Sequence, residues 1–505
     1  MLFNSHLFIL IFLPICLFLF YRFKSSRFYI LIFFSLLFYL INDQKYFFLF
    51  LFCIFSNIFL YHFVSNKKIF IFSIFFNLLI LVYFKYLFIF QSIDGSNIIT
   101  ASSILPLGIS FYTFNHIVFL FDCKNKLIKK PKANNLIFLI SFFPHMIAGP
   151  FIRYSSIVNQ IGKNNNLQTY SKYFSIGIFI FILGLSKKIF LADNAAIYSN
   201  DFFTQVLNGH SPAFTYSWIH ACLFLFQLYF DFSAYSDMAI GLSLIFGIKL
   251  PINFDSPLKS TSIIEFWRRW HITLTNLIYE FIFIPLSLML YKYFNINSLL
   301  KKILLEKFIP LVITFLIVGL WHGGTLNFII FGLLNGLFIF INHQWRDFFG
   351  RKKYLFNNNF LLLFYWSLTF LTVVLCFVFF RAQNFYVAKE VIKGMFGFNG
   401  FGLPRLLVEN ISLFNNFLIS KFLGINAKYD SLHELIVISA CFLIIIFGKN
   451  LNFLSEGIDK KNFGDFTYYK IFFNCKKKFV VALAIIFIFL ILNLNTTNNF
   501  IYFNF

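Results

Sequence analysis

The chain has 505 residues, of which 59% are hydrophobic and only 12% are charged, with a formal net charge of +23. Soluble proteins carry about 25% charged residues, so this sequence has too little polar surface for a water-exposed fold, and lipid must solvate much of it. The basic residues stand in short clusters between apolar runs, which is typical of cytoplasmic loops beside anionic headgroups. This pattern excludes nucleic acid as the partner and indicates membrane lipids.

Apolar segments long enough to cross a bilayer recur along the chain, since a spanning helix needs about 20 mostly apolar residues. The first run is followed by a basic cluster instead of a cleavage site, so we expect a membrane helix there and no cleaved signal peptide. The segments predict an all-α polytopic protein, one membrane domain over residues 1–505, with roughly 11 to 14 crossings and some re-entrant or interfacial helices around a central tunnel. The candidate spans are 7–21, 27–42, 46–64, 69–91, 103–121, 134–150, 173–192, 214–230, 232–248, 276–291, 308–321, 325–343, 359–380, 434–448 and 478–494.

Two stretches lack the pattern of lipid-facing helices. Residues 250–271 carry two prolines, five charged residues and two tryptophans between apolar spans. Ser262 followed by Glu265 has the spacing of a helix capping box, so we expect a helix at the membrane interface or tucked into the protein. In residues 382–433 glycines and a proline interrupt the apolar runs, which predicts an extramembrane loop with short helices.

The sequence gives no sign of a metal site or of a tightly bound cofactor. Its seven cysteines are scattered without a CxxC pair, which argues against a zinc site and against a disulfide framework. It also lacks the phosphate-binding GxxxxGK[ST] motif, which argues against an ATP-driven pump built on this chain alone.

Ionisable residues are costly inside a bilayer, so each one within or beside a span is a candidate for function. The strongest is His322, in the segment GLWHGG (319–324), which ends one apolar run and opens the next. An imidazole can serve as a general base because its unperturbed pKa is about 6.5, and the flanking glycines let backbone or substrate approach closely. The alternative is a packing histidine hydrogen-bonded between helices.

A second cluster, EFWRRWH (265–271), combines cations with indoles. On a continuous helix Trp267 and Arg268 would share a face with His271. Together with Arg269 they would suit an anionic ligand, such as the phosphates of a carrier or cofactor. The alternative is an interfacial belt in which Trp and Arg anchor a helix at the headgroups.

Two carboxylates, Asp231 and Asp237, stand in an otherwise apolar run. Their six-residue spacing puts them about 120° apart on a helix, so they do not form a facing acid–base pair. We expect at least one of them to pair with the arginines of the second cluster.

The fourth cluster is FFPHMIAGP (142–150), followed by Arg153. Pro-His and Gly-Pro in an apolar run predict a broken helix, which a membrane protein tolerates only inside protein or along a cavity. His145 and Arg153 are therefore candidate tunnel-lining residues. The alternative is a simple kink with a hydrogen-bonded histidine.

The four clusters occur in an order that resembles the membrane-bound O-acyltransferase family, in the bacterial branch that exports acetyl groups for alginate or peptidoglycan O-acetylation. On this resemblance residues 142–382 are the motif-bearing acyltransferase core, and residues 383–505 are a C-terminal extension with further membrane helices. The matching segments cover about the middle half of the chain: FFPHMIAGP (142–150), GLSKKIFLADN (184–194), YFDFSAYSDMAIGLSLIFGIKLPINFDSP (229–257), EFWRRWHITL (265–274), GLWHGG (319–324) and FVFFRA (377–382).

The resemblance implies an O-acyltransferase that moves an acyl group, most simply acetyl, across the bacterial inner membrane to a cell-envelope polysaccharide. The donor would be a cytoplasmic acyl thioester, either acetyl-CoA or an acyl carrier protein, and a separate periplasmic acetyltransferase would receive the group, since the chain has no soluble transferase domain. Donor and acceptor would meet in a tunnel at a membrane-buried histidine. His322 occupies that position and would act as the general base, and His271 matches a second, less invariant polar position. The candidates for lining the tunnel or holding the substrate are Trp321, Trp267, Arg268, Arg269, Asp231, Asp237, His145 and Arg153.

The chain departs from the family pattern just after His271. Where the family commonly has Trp, Arg and Asp, this sequence has Leu277, Tyr279 and Glu280. The Gly-Gly that usually follows Pro-Leu is replaced by Ser287 and Leu288.

Three other functions are weighed against acetyl export. Transfer of D-alanine from a carrier protein to teichoic acid is close to it, but the extension past Arg381 resembles the acetyl-exporting branch more. A transporter or flippase for a lipid-linked sugar would have similarly broken helices in two related halves, and a scaffold would not need ionisable residues in its spans. The sequence has one concentrated motif region instead.

Overall fold

The computed structural model describes residues 1–91, 105–128, 130–160, 167–294, 298–349, 358–402, 432–448, 477–494 and 500–501. Within these ranges the regular structure is entirely helical, as the sequence predicts. The helices are α1 (Phe8–Arg22), α2 (Arg27–Asn42), α3 (Phe47–Leu60), α4 (Lys67–Gln91), α5 (Ile109–Lys124), α6 (Ala133–Ser141), α7 (Tyr154–Val158), α8 (Leu167–Ser186), α9 (Asp193–Leu207), α10 (Phe214–Ile245), α11 (Ile263–Arg269), α12 (Ile272–Ile278), α13 (Ile284–Tyr293), α14 (Leu299–Ile303), α15 (Ile309–His322), α16 (Leu326–Phe348), α17 (Asn359–Arg381), α18 (Phe385–Met395), α19 (Leu432–Phe447) and α20 (Lys477–Leu492).

Three pairs of these helices are continuous through π-helical turns. The turns are Lys187–Ala192 between α8 and α9, Tyr279–Phe283 between α12 and α13, and Leu304–Phe308 between α14 and α15. In the described ranges seven helical segments are long and apolar enough to cross a membrane, and four shorter apolar helices accompany them. This confirms a polytopic helical membrane protein, while the number of crossings stays a prediction. The seven are Lys24–Asn42, Lys67–Tyr86, Tyr173–Leu207, Ile272–Tyr293, Lys301–His322, Leu326–Phe348 and Asn359–Arg381.

One pair of predicted spans is wrong. A single helix of 32 residues, α10, runs through the predicted span 214–230 and most of the predicted span 232–248, with no loop between them. The polar stretch that suggested an interruption is buried in protein from Asp231 to Asp237. Buried polar groups with partners do not need a turn to reach water, so the helix continues through them.

The chain divides into two compact units. The first comprises Met1–Ile189, Phe232–Asn253 and Leu454–Phe505, and the second comprises Phe190–Asp231 and Phe254–Phe453. Much of the core of the first unit is aromatic. The rings of Phe8, Phe12 and Phe38 pack against Phe143, with centroids 5.6 to 6.0 Å from its ring. The phenylalanine-rich sequence thus supplies the packing contacts of this unit.

In the second unit α15 and α16 form a hairpin whose backbones touch through glycines. A Cβ atom on Gly319 would lie 2.2 Å from the carbonyl oxygen of Phe328, and one on Gly332 would lie 2.3 Å from that of Phe315. Small residues permit this close approach of membrane helices. The hairpin thereby fixes the C-terminal end of α15, where His322 stands.

The segment before His271 is irregular and partly buried, with one short helix, as predicted. Ser262 caps α11, because its hydroxyl accepts a hydrogen bond from the Glu265 amide at 3.2 Å. The Glu265 carboxylate accepts one from the Thr261 amide at 2.9 Å, which completes the capping arrangement. The prediction that one helix carries Trp267, Arg268 and His271 is wrong, because α11 ends at Arg269.

The C-terminal part of the prediction is only partly covered by the described ranges. Of the loop expected at 382–433, the first part contains the short helix α18, and residues 403–431 lie outside the described residues. Six of the seven cysteines are free thiols, and Cys475 also lies outside those ranges. Helices α19 and α20 are the further apolar helices predicted for residues 383–505.

Candidate active site

A cavity of about 510 Å³ lies within the second unit, between α11, α12 and the turn Tyr279–Phe283 on one side and α15 and α16 on the other. Its volume is in the range of about 300 to 1,000 Å³ that is usual for small-molecule sites. Both histidines singled out by the sequence, His271 and His322, line it. The structure therefore brings together two clusters that are about 50 residues apart in the chain.

One face of α15 forms a wall of the cavity along its length. Leu311, Thr314, Phe315, Val318 and His322 recur at the spacing of a single helix face and all line the cavity. With His322 at the C-terminal end of the helix, this face leads from the N-terminal end of α15 to the imidazole.

His322 stands in an aromatic enclosure. Its side chain is buried, with the residue 7% exposed, and its ring centroid lies 4.6 Å from that of Trp321 and 4.8 Å from that of Phe380. The glycine that follows it makes room for this packing, because a Cβ atom on Gly323 would lie 2.4 Å from the ring of Phe328. The groups that approach the glycines on either side of the Trp321–His322 pair are therefore the backbone of α16 and the ring of Phe328.

His271 is held in an unusual backbone conformation between α11 and α12. Its φ and ψ are 45° and 52°, in the left-handed region that non-glycine residues seldom adopt. It is also buried, and its ring lies 6.5 Å from that of Trp321. Such strain persists only where the surroundings enforce it, and it concentrates at functional sites. Trp321 is thus in ring contact with both histidines, although it does not itself line the cavity.

The other end of the cavity is basic and open. Arg268 lines it with an exposed side chain, and Lys307 and His343 line it nearby. The charges of Lys307, Arg346 and Arg268 all act on the His343 imidazole, so these groups share one region, although Arg346 does not itself line the cavity. Lys307 also forms an ion pair with Asp347. Lys307 precedes His322 by fifteen residues, which at about 1.5 Å per residue separates the basic end from the imidazole by roughly 20 Å.

The remaining members of the second cluster have structural contacts. Trp267 lines the cavity and donates its indole N–H to Asn335 Oδ1 at 3.1 Å, while Asn335 donates to the carbonyl of Phe331 at 2.8 Å. Arg269 forms an ion pair with Glu265 at 2.7 Å and does not line the cavity. Of the two arginines, Arg268 is the one available to a ligand in this cavity.

The other candidates from the sequence do not line this cavity. In the first unit Asp237 pairs with Lys187, so the expectation of an arginine partner is wrong for Asp237. The lysine precedes α10 in sequence and reaches the carboxylate from the end of α8. Asp231 is buried in the second unit, and for it the arginine partner stays a prediction.

His145 and Arg153 also have structural partners in the first unit. The chain leaves the helix after Ser141 and stays irregular to Arg153, so the predicted broken helix is confirmed. His145 Nε2 hydrogen-bonds to the carbonyl of Leu139 at 2.7 Å. Arg153 forms an ion pair with Asp122 at 3.6 Å. These contacts favour the hydrogen-bonded kink that was the alternative for this cluster.

Sequence reasoning missed several polar residues of the cavity, namely Thr275, Asn276, Lys307, Thr314 and His343. His343 lies in the predicted span 325–343, so its position inside an apolar run was a signal. Lys307 immediately precedes the predicted span 308–321 and counted only as a flanking charge. Thr314 gave no signal at all, because a threonine in an apolar helix usually bonds to its own backbone.

The fold and the cavity define a class of protein: a polytopic membrane protein with a cavity lined by a buried histidine at one end and by cations at the other. Residues 50–380 match the model of MBOAT, the membrane-bound O-acyltransferase family. The chain belongs to this family, and it is accordingly an O-acyltransferase.

The chain is similar to curated members of the family. It is 35% identical over 398 residues to the peptidoglycan O-acetyltransferase of Helicobacter pylori, which covers 72% of each chain. It is 37% identical over 341 residues to the probable alginate O-acetylase AlgI of Pseudomonas syringae pv. tomato, covering 65% of this chain and 61% of that one. It is 29% identical over 268 residues to the teichoic acid D-alanyltransferase of Streptococcus thermophilus, covering 52% of this chain and 61% of that one.

Proposed function

We propose that this protein transfers acetyl groups from a cytoplasmic thioester across the bacterial inner membrane, for O-acetylation of a cell-envelope polysaccharide. The observation that carries the proposal is the single cavity that joins a cationic outer end to the buried His322. The polysaccharide would be peptidoglycan or an alginate-like exopolysaccharide, the acceptors in the names of the relatives at 35% and 37% identity. Similarity to the D-alanyltransferase is lower and covers less of the chain, which favours acetyl over D-alanyl transfer.

The charges around the cavity helices support a cytoplasmic donor. Successive helices around the cavity run in opposite directions. The C-terminal end of α13 and the N-terminal end of α14 therefore lie on the same side as the C-terminal end of α16 and the N-terminal end of α17. His322 and the start of α16 lie towards the other side, and no charged residue separates them. Basic residues mark the cytoplasmic side of membrane helices. Among the described residues, those near the first side are Lys292, Lys301, Lys302 and Arg346.

The chemistry of the donor agrees with the shape of the cavity. Acetyl-CoA and acetylated carrier proteins present the thioester at the end of the same phosphopantetheine arm. The phosphate of that arm would lie beside Arg268 and Lys307 at the open end, because guanidinium and ammonium groups bind phosphate oxygens. The thioester would then reach His322 roughly 20 Å further along.

In this arrangement His322 acts as the general base. Its imidazole takes the proton of the acceptor hydroxyl while the hydroxyl oxygen attacks the thioester carbon. The carbon–sulfur bond then breaks, and the thiolate recovers the proton from the imidazolium, which leaves an ester and a free thiol. A base of this kind contributes about 10²- to 10⁴-fold to the rate. His271 would assist as a second polar group beside the reacting atoms.

The acceptor that reaches His322 is small or presented by another protein. A polysaccharide strand exceeds a cavity of about 510 Å³ whose inner end is enclosed by aromatic rings. We propose that a periplasmic acetyltransferase receives the acetyl group and passes it to the polymer.

The cationic end of the cavity gives a direct prediction about the donor. Replacing both Arg268 and Lys307 with Gln should raise the KM for acetyl-CoA, or for the acetylated carrier protein, about tenfold or more, since hydrogen bonds to charged groups contribute about 1.5 to 3 kcal/mol. Acetyl-pantetheine, which lacks the phosphates, should keep its KM. Steady-state release of thiol by the purified protein measures both values.

A matched control is Lys389→Gln, an exposed cation of α18 that does not line the cavity. It should leave both KM values at the wild-type level. An equal effect of the double substitution on acetyl-CoA and acetyl-pantetheine would contradict the phosphate role of the two cations.

The experiment that tests the function measures ester-linked acetate. Mild base releases it from purified peptidoglycan and, separately, from soluble polysaccharide of the wild type, a deletion strain and the deletion strain carrying the wild-type gene. We expect acetate to fall in one of the two fractions and to return with the gene. Loss of ester-linked D-alanine with unchanged acetate would replace acetyl by D-alanyl transfer, and no change in either ester would overturn the proposal.

A further inference from the structure

Thr314 is a polar side chain inside the cavity that the proton transfer at His322 does not use. It lies on the cavity-lining face of α15 and is 4% exposed. Its Oγ1 atom has no hydrogen-bond partner among the described residues. Other threonines in membrane helices here, such as Thr369, donate to the carbonyl four residues earlier, at 2.7 Å for Thr369. An unsatisfied buried hydroxyl is costly. The Thr314 hydroxyl is therefore available to form a hydrogen bond with a ligand that enters the cavity.

The position of Thr314 along the cavity identifies what it can bind. It precedes His322 by eight residues and follows Lys307 by seven, so it lies about 12 Å from the imidazole end and about 10 Å from the basic end along the helix. The neighbours on its helix face, Leu311, Phe315 and Val318, are apolar. On the α15 side a ligand thus meets one hydroxyl, halfway along an otherwise apolar face. On the facing side Thr275, Asn276 and Tyr279 also line the cavity, and the Thr275 hydroxyl donates to the carbonyl of Trp270 at 3.1 Å.

A pantetheine arm has polar groups at that distance from the thioester. Its first amide is close to the sulfur, and its second amide and carbinol hydroxyl lie about halfway between the sulfur and the phosphate. With the thioester at His322 and the phosphate at the basic end, the second amide and the carbinol reach the level of Thr314. The Thr314 hydroxyl can donate to the amide carbonyl or accept from the carbinol.

We infer that Thr314 is the specificity residue for the pantoyl half of the donor's pantetheine arm, so that the enzyme distinguishes pantetheine thioesters from shorter thioesters at this position. The inference rests on the proposed function, because it assumes a thioester donor in this cavity. It adds that the arm is recognised by a hydrogen bond in the membrane-embedded section, in addition to the charges at the open end. Thr314 does not touch the reacting atoms and is a positioning residue.

The test compares two neutral donors, S-acetyl-pantetheine and S-acetyl-N-acetylcysteamine, which share the thioester and the first amide. Only the first has the second amide and the carbinol. Thr314→Val keeps the shape of the side chain and removes the hydroxyl. It should lower kcat/KM for S-acetyl-pantetheine about tenfold, the cost of an unmet hydrogen bond in a buried site, and leave that for S-acetyl-N-acetylcysteamine unchanged. Thr314→Ser should restore discrimination between the two donors.

The outcomes separate the inference from the function on which it rests. If Thr314→Val lowers kcat/KM for both donors alike, or for neither, Thr314 does not recognise the pantoyl half. The inference is then overturned, while the acyltransferase function stands. If the wild-type protein acetylates no acceptor from either donor or from acetyl-CoA, the proposed donor is wrong and the inference falls with it. Equal amounts of folded protein in the wild type and the two variants, measured by size-exclusion chromatography in detergent, exclude a folding defect as the cause.

Discussion

We expect His322→Ala to abolish the proposed acetyl transfer while the protein still accumulates in the membrane. The expected loss in kcat is about 10²- to 10⁴-fold, the usual contribution of a positioned general base. His322→Gln should lose as much, because its amide fills similar space and can hydrogen-bond but cannot take a proton. The measurement is the rate of thiol release from acetyl-CoA by the purified variant, together with base-labile acetate in cells that carry it.

The enclosure of His322 makes a control for packing necessary. Its ring contacts Trp321 and Phe380, so removing it leaves a cavity in the second unit that could lower stability by itself. His322→Gln keeps most of that volume, and an unchanged melting temperature with lost turnover would assign the effect to chemistry. His210→Ala, an exposed histidine of the same unit, should behave as wild type. Wild-type turnover in His322→Gln would contradict the general-base role.

Most helix positions could be predicted from the sequence because lipid imposes a simple rule. An apolar run of about 20 residues must satisfy its backbone internally, and a helix does so. The second span was predicted at 27–42 and α2 is Arg27–Asn42. The rule failed at α10, where Asp231 and Asp237 looked like the end of a span. Only the tertiary structure supplies Lys187 as a partner for Asp237.

The two histidines could be predicted as members of one site, but the basic end of the cavity that they line could not. The polar clusters around His322 and His271 predict that both residues function, and in the structure both line one cavity. The basic end depends on the tertiary structure, which brings Arg268, Lys307 and His343 from three distant segments to one cavity. Nothing in the sequence distinguishes Arg268 from Arg269. In the structure Arg269 forms an i,i+4 ion pair with Glu265, whereas Arg268 lines the cavity.

The fourth cluster, FFPHMIAGP (142–150), also shows what the sequence could and could not predict. Its prolines and glycine predicted non-helical backbone correctly, because proline cannot continue the hydrogen-bond ladder. They could not tell whether His145 faces a ligand or a carbonyl. Its contact with Leu139 at 2.7 Å is made within the broken turn itself, and that geometry follows from backbone dihedrals that no spacing rule contains.

Gly332→Ala should be nearly as damaging as loss of the base, although Gly332 touches no substrate. The new Cβ atom would lie 2.3 Å from the carbonyl oxygen of Phe315, a backbone atom that cannot rotate away. The hairpin can relieve the clash only by moving α15 away from α16. Because His322 and the cavity-lining face stand on α15, that movement displaces the imidazole relative to His271. A misplacement of about 1 Å can cost about 10²-fold in rate, so we expect a loss of that order together with a lower melting temperature.

Leu333→Ala is the matched control, since Leu333 is the next residue of α16 and is 40% exposed. It alters the same helix without affecting the contact with α15 and should retain near-normal turnover. Gly336→Ala is an intermediate case, because its Cβ would meet the Cα atom of Val312 at 3.1 Å, which a small adjustment can accommodate. Turnover should therefore fall in the order Leu333→Ala, Gly336→Ala, Gly332→Ala. If Gly332→Ala instead kept both its melting temperature and its turnover, close contact of the two helices would not be what positions His322, and the rigidity of the site would have to come from α11 and α17.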